Sequence, residues 1–217
     1  MRTIYLLLII LLLQSCDSKK NESNDKNSFD IEEFDSIRKV KQDIADKKRD
    51  STIKADKAAK KEKIKNTLSH LRKSENKNTG YTYYYSKKFY HYDNSNKISA
   101  YIGVDSYDNV NLFFKVSYFS DKSKWIFFNT IVVTYDEILF EVPFEYDDKK
   151  TGVEGFKYWE YISINANQDL DMHLQGIAKS DYAKIFLSGY DDYDRVITNN
   201  EKKALDEVIT AYYKIIF

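Results

Sequence analysis

From Gly80 onward, apolar residues recur at every second position, and a period of two commits that part of the chain to extended strands. Val110, Leu112, Phe114, Val116 and Tyr118 share one face of such a strand. Ile138, Phe140, Val142, Phe144 and Tyr146 share one face of another, with Glu141 and Glu145 opposite. Trp125, Phe127, Ile131, Val133 and Tyr135 predict a third, ending in the turn at Tyr135–Glu137. Shorter strands are expected around Tyr158–Ile164 and Ala183–Leu187. The breaks between them ("DNSN", "DSYDN", "SDKS") fall at hairpin spacing. With 19 Tyr and 13 Phe against 6 Gly and 1 Pro, the chain is built for sheet and must turn on Asn and Asp. The expected fold is mainly β: an antiparallel sandwich or open barrel over residues 78–217, carrying a C-terminal helix.

Two helices interrupt this pattern. In "NQDLDMHLQGIAKS", Leu170, Leu174 and Ile177 form a stripe, Asn167 is placed to cap, and Asp169 and Asp171 sit near the positive helix end. In "TNNEKKALDEVITAYYKIIF", Thr198 and Glu201 form a T-x-x-E capping box ahead of a face made by Leu205, Val208, Ile209 and Tyr212. That helix is expected to cover a sheet edge or the open end of a barrel. The stretch "KIFLSGYDDYDRVITNNEKKALDEVITAYYK" resembles the ending of an uncharacterised bacterial and phage-associated domain, in which a Tyr/Asp-rich turn, an Arg and an E-K-K-A-L helix close a β-rich body. The resemblance implies a sandwich-like fold and brings no catalytic residues with it.

Upstream, the composition changes twice. Residues 16–29 form a polar segment, without any apolar side chain from Asp17 to Ser28, and are expected to be a disordered tether. Residues 30–75 are rich in Lys, Asp, Ala and Ile and lack Gly and Pro, which predicts a charged helical stalk. Ile31, Phe34, Ile37, Val40 and Ile44 recur at helical spacing, as do Ile64, Leu68 and Leu71. Lysines interrupt the seam between the two groups, which argues against a long coiled coil and leaves open a short self-association through Phe34 and Ile37. Arg38–Lys73 carries roughly nine more basic than acidic groups. Such a run reads either as a solvated stalk or as a contact for an anionic membrane surface.

At the N-terminus, Arg2 precedes an apolar run from Ile4 to Leu13. At about ten residues it is half of what a helix needs to cross a bilayer, and it reads as a secretory signal over residues 1–15. The end of that run, Leu13-Gln14-Ser15-Cys16, resembles the lipobox of bacterial lipoproteins. The resemblance implies a diacylglyceryl group on the Cys16 thiol, cleavage just before it, and acylation of the new amino group, which together give a stable membrane anchor. The competing account is a small buried cysteine after a core strand. Cys16 is the sole cysteine, so no internal disulfide exists. The Lys/Asn/Ile/Tyr-rich composition is unlike an enteric protein, and despite Asp17 the expectation favours the outer over the inner membrane.

Little else carries chemistry. His70, His91 and His173 are scattered, no serine sits in a nucleophile-elbow pattern, and single glycines cannot form a phosphate-cradling loop. No catalytic residue, cofactor or metal is expected. The acidic loops "DSYDN", "FEYDDKK" and "GYDDYDR" lack the spacing of a calcium loop and read as solvated turns. A formal net charge of zero argues against nucleic acid as partner. The segment "YTYYYSKKFYHY" is different: Tyr81, Tyr83, Tyr85 and Phe89 alternate with Tyr84, Tyr90 and Tyr92, so bulky rings occupy both faces of one strand. Tyr81, Tyr83 and Tyr85 are therefore the candidate partner-binding residues, set against plain cross-strand packing. The expected function is a lipid-anchored envelope protein whose β-rich domain binds a protein or glycan. The alternatives are a structural envelope component acting through its stalk and, further off, an enzyme with a dispersed site.

Overall fold

The computed structural model describes residues 31–88, 95–120 and 124–217, apart from the side chains of 31–34. Cys16, the signal and tether segments, Phe34, Phe89, Tyr90, His91 and Tyr92 lie outside that description. The chain divides into two compact units, one through Ser51 and one over Thr52–Phe217. A single helix, α1 (Ile31–Leu68), has its first half in the former and its second in the latter. From Asp35 to Ser51 every side chain is exposed, including Ile37, Val40 and Ile44. No described helix is long and apolar enough to cross a membrane.

In the second unit the chain is mainly β, with two antiparallel sheets. A curled, half-barrel sheet has the order β1 (Arg72–Asn76), β2 (Tyr81–Tyr85), β3 (Lys97–Val104), β4 (Val110–Ser120), β8 (Lys157–Asn165), β7 (Lys149–Glu154). A smaller sheet has the order β10 (Tyr193–Val196), β9 (Ala183–Ser188), β5 (Thr130–Tyr135), β6 (Ile138–Glu141). The alternation in β4 does what its period requires: Leu112, Phe114, Val116 and Tyr118 are buried. Ile131 and Val133 of β5 and Ile185 and Leu187 of β9 join them in one apolar cluster. Helices α2 (Gln168–Lys179) and α3 (Asn199–Ile216) complete that core with Leu170, Leu174, Leu205 and Val208.

Both cap motifs form. Asn167 Oδ1 accepts the Leu170 N–H at 2.9 Å, and Thr198 and Glu201 make the reciprocal box. Glu201 does more than cap. Its carboxylate also accepts two hydrogen bonds from Arg195, at 2.6 and 2.8 Å, and the Ile98 N–H at 2.9 Å. One buried side chain thus joins α3 to β10 of one sheet and β3 of the other. Helix α3 packs on β3 and β4, the central pair of the six strands, so it covers a sheet face rather than the expected edge or barrel end.

Two strand expectations and one helix expectation are corrected. The run from Trp125 to Tyr135 is a strand only from Thr130, and Ile126 and Phe128 are buried in place of Trp125 and Phe127. Phe127 has a left-handed φ of 46°, which breaks the alternation. The buried Glu160 carboxylate gathers the N–H groups of Ile126, Phe127 and Phe128 at 2.8, 2.8 and 3.2 Å. Lys149 Nζ balances it at 3.9 Å and donates to the Phe128 carbonyl at 2.9 Å. Burial pushes the Lys149 ammonium below its ordinary pKa, and the Glu160 charge opposes that push. Likewise β6 stops at Glu141, two residues before Pro143, and leaves Ile138, Leu139 and Tyr146 exposed. Finally, α1 ends at Leu68, and Arg72–Asn76 pairs with β2 as strand instead of extending the helix. Ile64, Leu68 and Leu71 belong to the core.

Candidate functional site

Strand β2 organises the outward face of the six-stranded sheet. Its five β-prone residues alternate: Tyr84 packs against the core, and Tyr81, Tyr83 and Tyr85 project from the opposite side. Burial raises the Tyr84 phenol above its usual pKa, and the nearby Lys73 charge opposes that push. The register sets Tyr83 opposite Gly103, Tyr85 opposite Tyr101, and Tyr101 opposite Phe113. Tyr81 and Tyr83 stack 7° from parallel with centroids 5.7 Å apart. Tyr101 and Phe113 stack 9° from parallel at 5.1 Å. Tyr83 meets Tyr101 edge-on at 5.4 Å, which ties the two pairs together.

Gly103 is what lets these rings lie down. A Cβ there would stand 2.7 Å from the Phe113 ring and 3.1 Å from that of Tyr81. Gly152 plays the same part at the far side, where a Cβ would fall 2.1 Å from the Trp159 ring. Trp159 and Tyr161 of β8 form a third stack at 5.5 Å. Lys115 of β4 holds its Nζ 4.0 Å from the Tyr161 ring centroid. At the β1 edge the Arg72 guanidinium lies 5.7 Å from the Tyr85 ring, and Lys157 lies 5.6 Å from that of Phe119. Such cation–ring contacts are each worth about 0.5–1 kcal/mol at exposed sites. The Tyr101 hydroxyl and Ser163 Oγ share a hydrogen bond of 2.5 Å.

Registers place Arg72, Lys97, Lys115, Lys150 and Lys157 on this outward face, with Glu154 as its acid among the described residues. Lys97 is buried and the other four are exposed or half-exposed. The face is therefore aromatic, basic and hydroxyl-bearing.

No family model, curated protein or solved structure matches this chain.

Tyr81, Tyr83 and Tyr85 are thus brought together, and the structure adds Tyr101, Phe113, Trp159, Tyr161 and Lys115 to them. The histidines are not gathered. His70 lies in an open groove with Lys88, Lys179 and Lys203, its Nε2 4.0 Å from Glu207. His173 stacks on Phe140 at 3.7 Å and meets the Tyr135 hydroxyl at 2.9 Å. Among the described residues, no group of three or more His, Cys, Asp or Glu is placed to hold a metal ion. The acidic loops are engaged locally. Asp105 accepts the Tyr107 and Asn109 N–H groups and the Asn109 side-chain amide, which holds its carboxyl below the usual range. Asp191 pairs with Lys124, and Asp194 with Lys184.

Proposed function

We propose that this chain is a bacterial envelope lipoprotein, held by lipid on Cys16, whose β-rich domain binds a protein or glycan partner through the outward aromatic face. The observation that carries the recognition half is the ring cluster of Tyr81, Tyr83, Tyr85, Tyr101 and Phe113. Tyr84 supplies the ring that β2 gives to the core, whereas these five stand on the side away from it. Tyr joins a rigid apolar body to a hydroxyl at low entropic cost, which suits it to interfaces. The anchor half is supported by Leu13-Gln14-Ser15-Cys16 behind an apolar run too short to span a bilayer. Binding, rather than catalysis, is the role proposed, at an outer rather than an inner membrane.

The test expresses the full chain in a bacterial host. Mass spectrometry of the mature protein should find a lipid-modified Cys16 at its N-terminus, and Cys16→Ala should leave the precursor uncut and unlipidated. An unmodified thiol would refute the anchor. Photo-crosslinking in intact cells should give an adduct that is lost in the Tyr81→Ala/Tyr83→Ala/Tyr85→Ala variant with its unfolding transition retained. An adduct indifferent to those changes would refute the face.

A further inference from the structure

We infer that the occupant of the outward face is an acidic polysaccharide, one whose sugar units carry carboxylates. This deepens the recognition reading above and depends on it. The first argument is charge. Four accessible basic residues, Arg72, Lys115, Lys150 and Lys157, stand against one acid, Glu154, on the outward side of the six strands among the described residues, although the whole chain is formally neutral. The second is their spread. Arg72 is on β1, Lys115 on β4, Lys157 on β8 and Lys150 on β7. At ~4.8 Å per strand these edges lie about 24 Å apart along the sheet, so the charges suit a chain molecule with recurring anions better than a single small ion. Guanidinium and ammonium groups both pair well with carboxylates.

The third argument is how the rings are used. Tyr81 stacks on Tyr83, Tyr101 on Phe113, and Trp159 on Tyr161. Each already spends a ring face on its neighbour. Binding single-stranded nucleic acid uses open ring faces on which bases lie, and insertion into lipid uses rings free to leave the sheet. Tyr81 and Tyr83, packed side by side, instead offer edges and hydroxyls, which donate and accept with sugar hydroxyls.

The test uses full-length protein already inserted by its anchor into neutral phosphatidylcholine nanodiscs, free of detergent, run by affinity electrophoresis in gels containing sodium polygalacturonate, sodium alginate or neutral dextran. Single-stranded poly(dT) and phosphatidylglycerol vesicles are titrated in parallel. Retardation is expected with at least one uronate polymer and not with dextran, and it should weaken as salt rises from about 50 to about 300 mM. Lys115→Gln/Lys150→Gln should weaken the retardation at least tenfold. Ser74→Asp, which adds an acid at a half-exposed position of the edge strand β1 on the same face, should act in the same direction without removing any packed side chain. Tyr81→Phe/Tyr83→Phe keeps the rings and should weaken binding through the lost hydroxyls. Failure with both uronates, equal retardation by dextran, or tighter binding to poly(dT) or vesicles would overturn the inference. A crosslinked protein partner that still depends on Tyr81, Tyr83 and Tyr85 would overturn it too, and would leave the recognition reading standing.

Discussion

Glu201 makes one carboxylate serve as helix cap, ion-pair partner and backbone acceptor at once. Only 2% of the residue is exposed, so its charge is sustainable only because every lone pair has a donor. Burial pushes its carboxyl up, but the Arg195 hydrogen bonds and charge, with the Thr198 and Ile98 N–H groups, outweigh that and hold it below the ordinary value. The linkage follows in sign. A folded pKa below the unfolded one gives stability that is complete above the ordinary glutamate value of about 4.3 and is lost as pH falls through the lower folded value. Glu201→Gln should therefore cost about 3 kcal/mol in urea unfolding at pH 7, and the gap to the native protein should narrow below pH 4. A gap that stays constant down to pH 2.5 would mean that the carboxylate is not what joins the sheets.

At the scale of elements, the β7–β8 pair depends on a missing side chain. Gly152 stands opposite Trp159, whose ring occupies the space that any Cβ would need. Gly152→Ala should displace the indole, shift tryptophan fluorescence and cost about 1–3 kcal/mol. Gly155 in the adjoining turn makes the control: its φ is +63° and a Cβ there meets nothing within 4 Å. Gly155→Ala should carry a backbone penalty of about 1–2 kcal/mol without the spectral change. Matching spectra for the two variants would contradict the stacked arrangement.

Elements were legible in the sequence where one residue pattern had one cause. The β4 alternation, the Asn167 cap and the Thr198–Glu201 box are local, and each forms as spaced. The run through Phe127 was not legible, because its break comes from Glu160, some 33 residues away. The expected β6 run ends at Glu141, two residues before Pro143, and the pattern beyond it is kept without a strand: Val142 is buried and Phe144 packs on the core, while Ile138 and Tyr146 stay exposed. The aromatic face was half visible. Tyr81, Tyr83 and Tyr85 alternate within one strand, whereas Trp159 and Tyr161 reach the same face only because β4 pairs with β8, a crossing that spacing does not announce.

For the whole molecule, the division at Ser51 separates exposed helix from core-bearing chain. Ile64, Leu68 and Leu71 lie on the core side of that division and are buried. Removal of residues 1–51 should therefore leave the unfolding free energy of the remainder, measured in urea, unchanged to about 0.5 kcal/mol, whereas Leu68→Ala should lower it by about 2–5 kcal/mol. Loss of folding on removing residues 1–51 would contradict this division of labour.

The pairing of β4 with β8, and of Ile98 with Glu201 across 103 residues, also sets an order of events in time. Strands β1 to β4 are neighbours in sequence and pair as they emerge, but the core they share with β5, β9 and α2 lacks Leu205 and Val208, and Ile98 lacks its Glu201 partner, until α3 is made. Contacts this distant make for slow folding. A nascent chain of this design stays unlatched through most of its synthesis. For a protein that we propose must be threaded unfolded through a membrane before it is anchored, that delay keeps the polypeptide fit for passage, and the last helix to be made acts as the bolt.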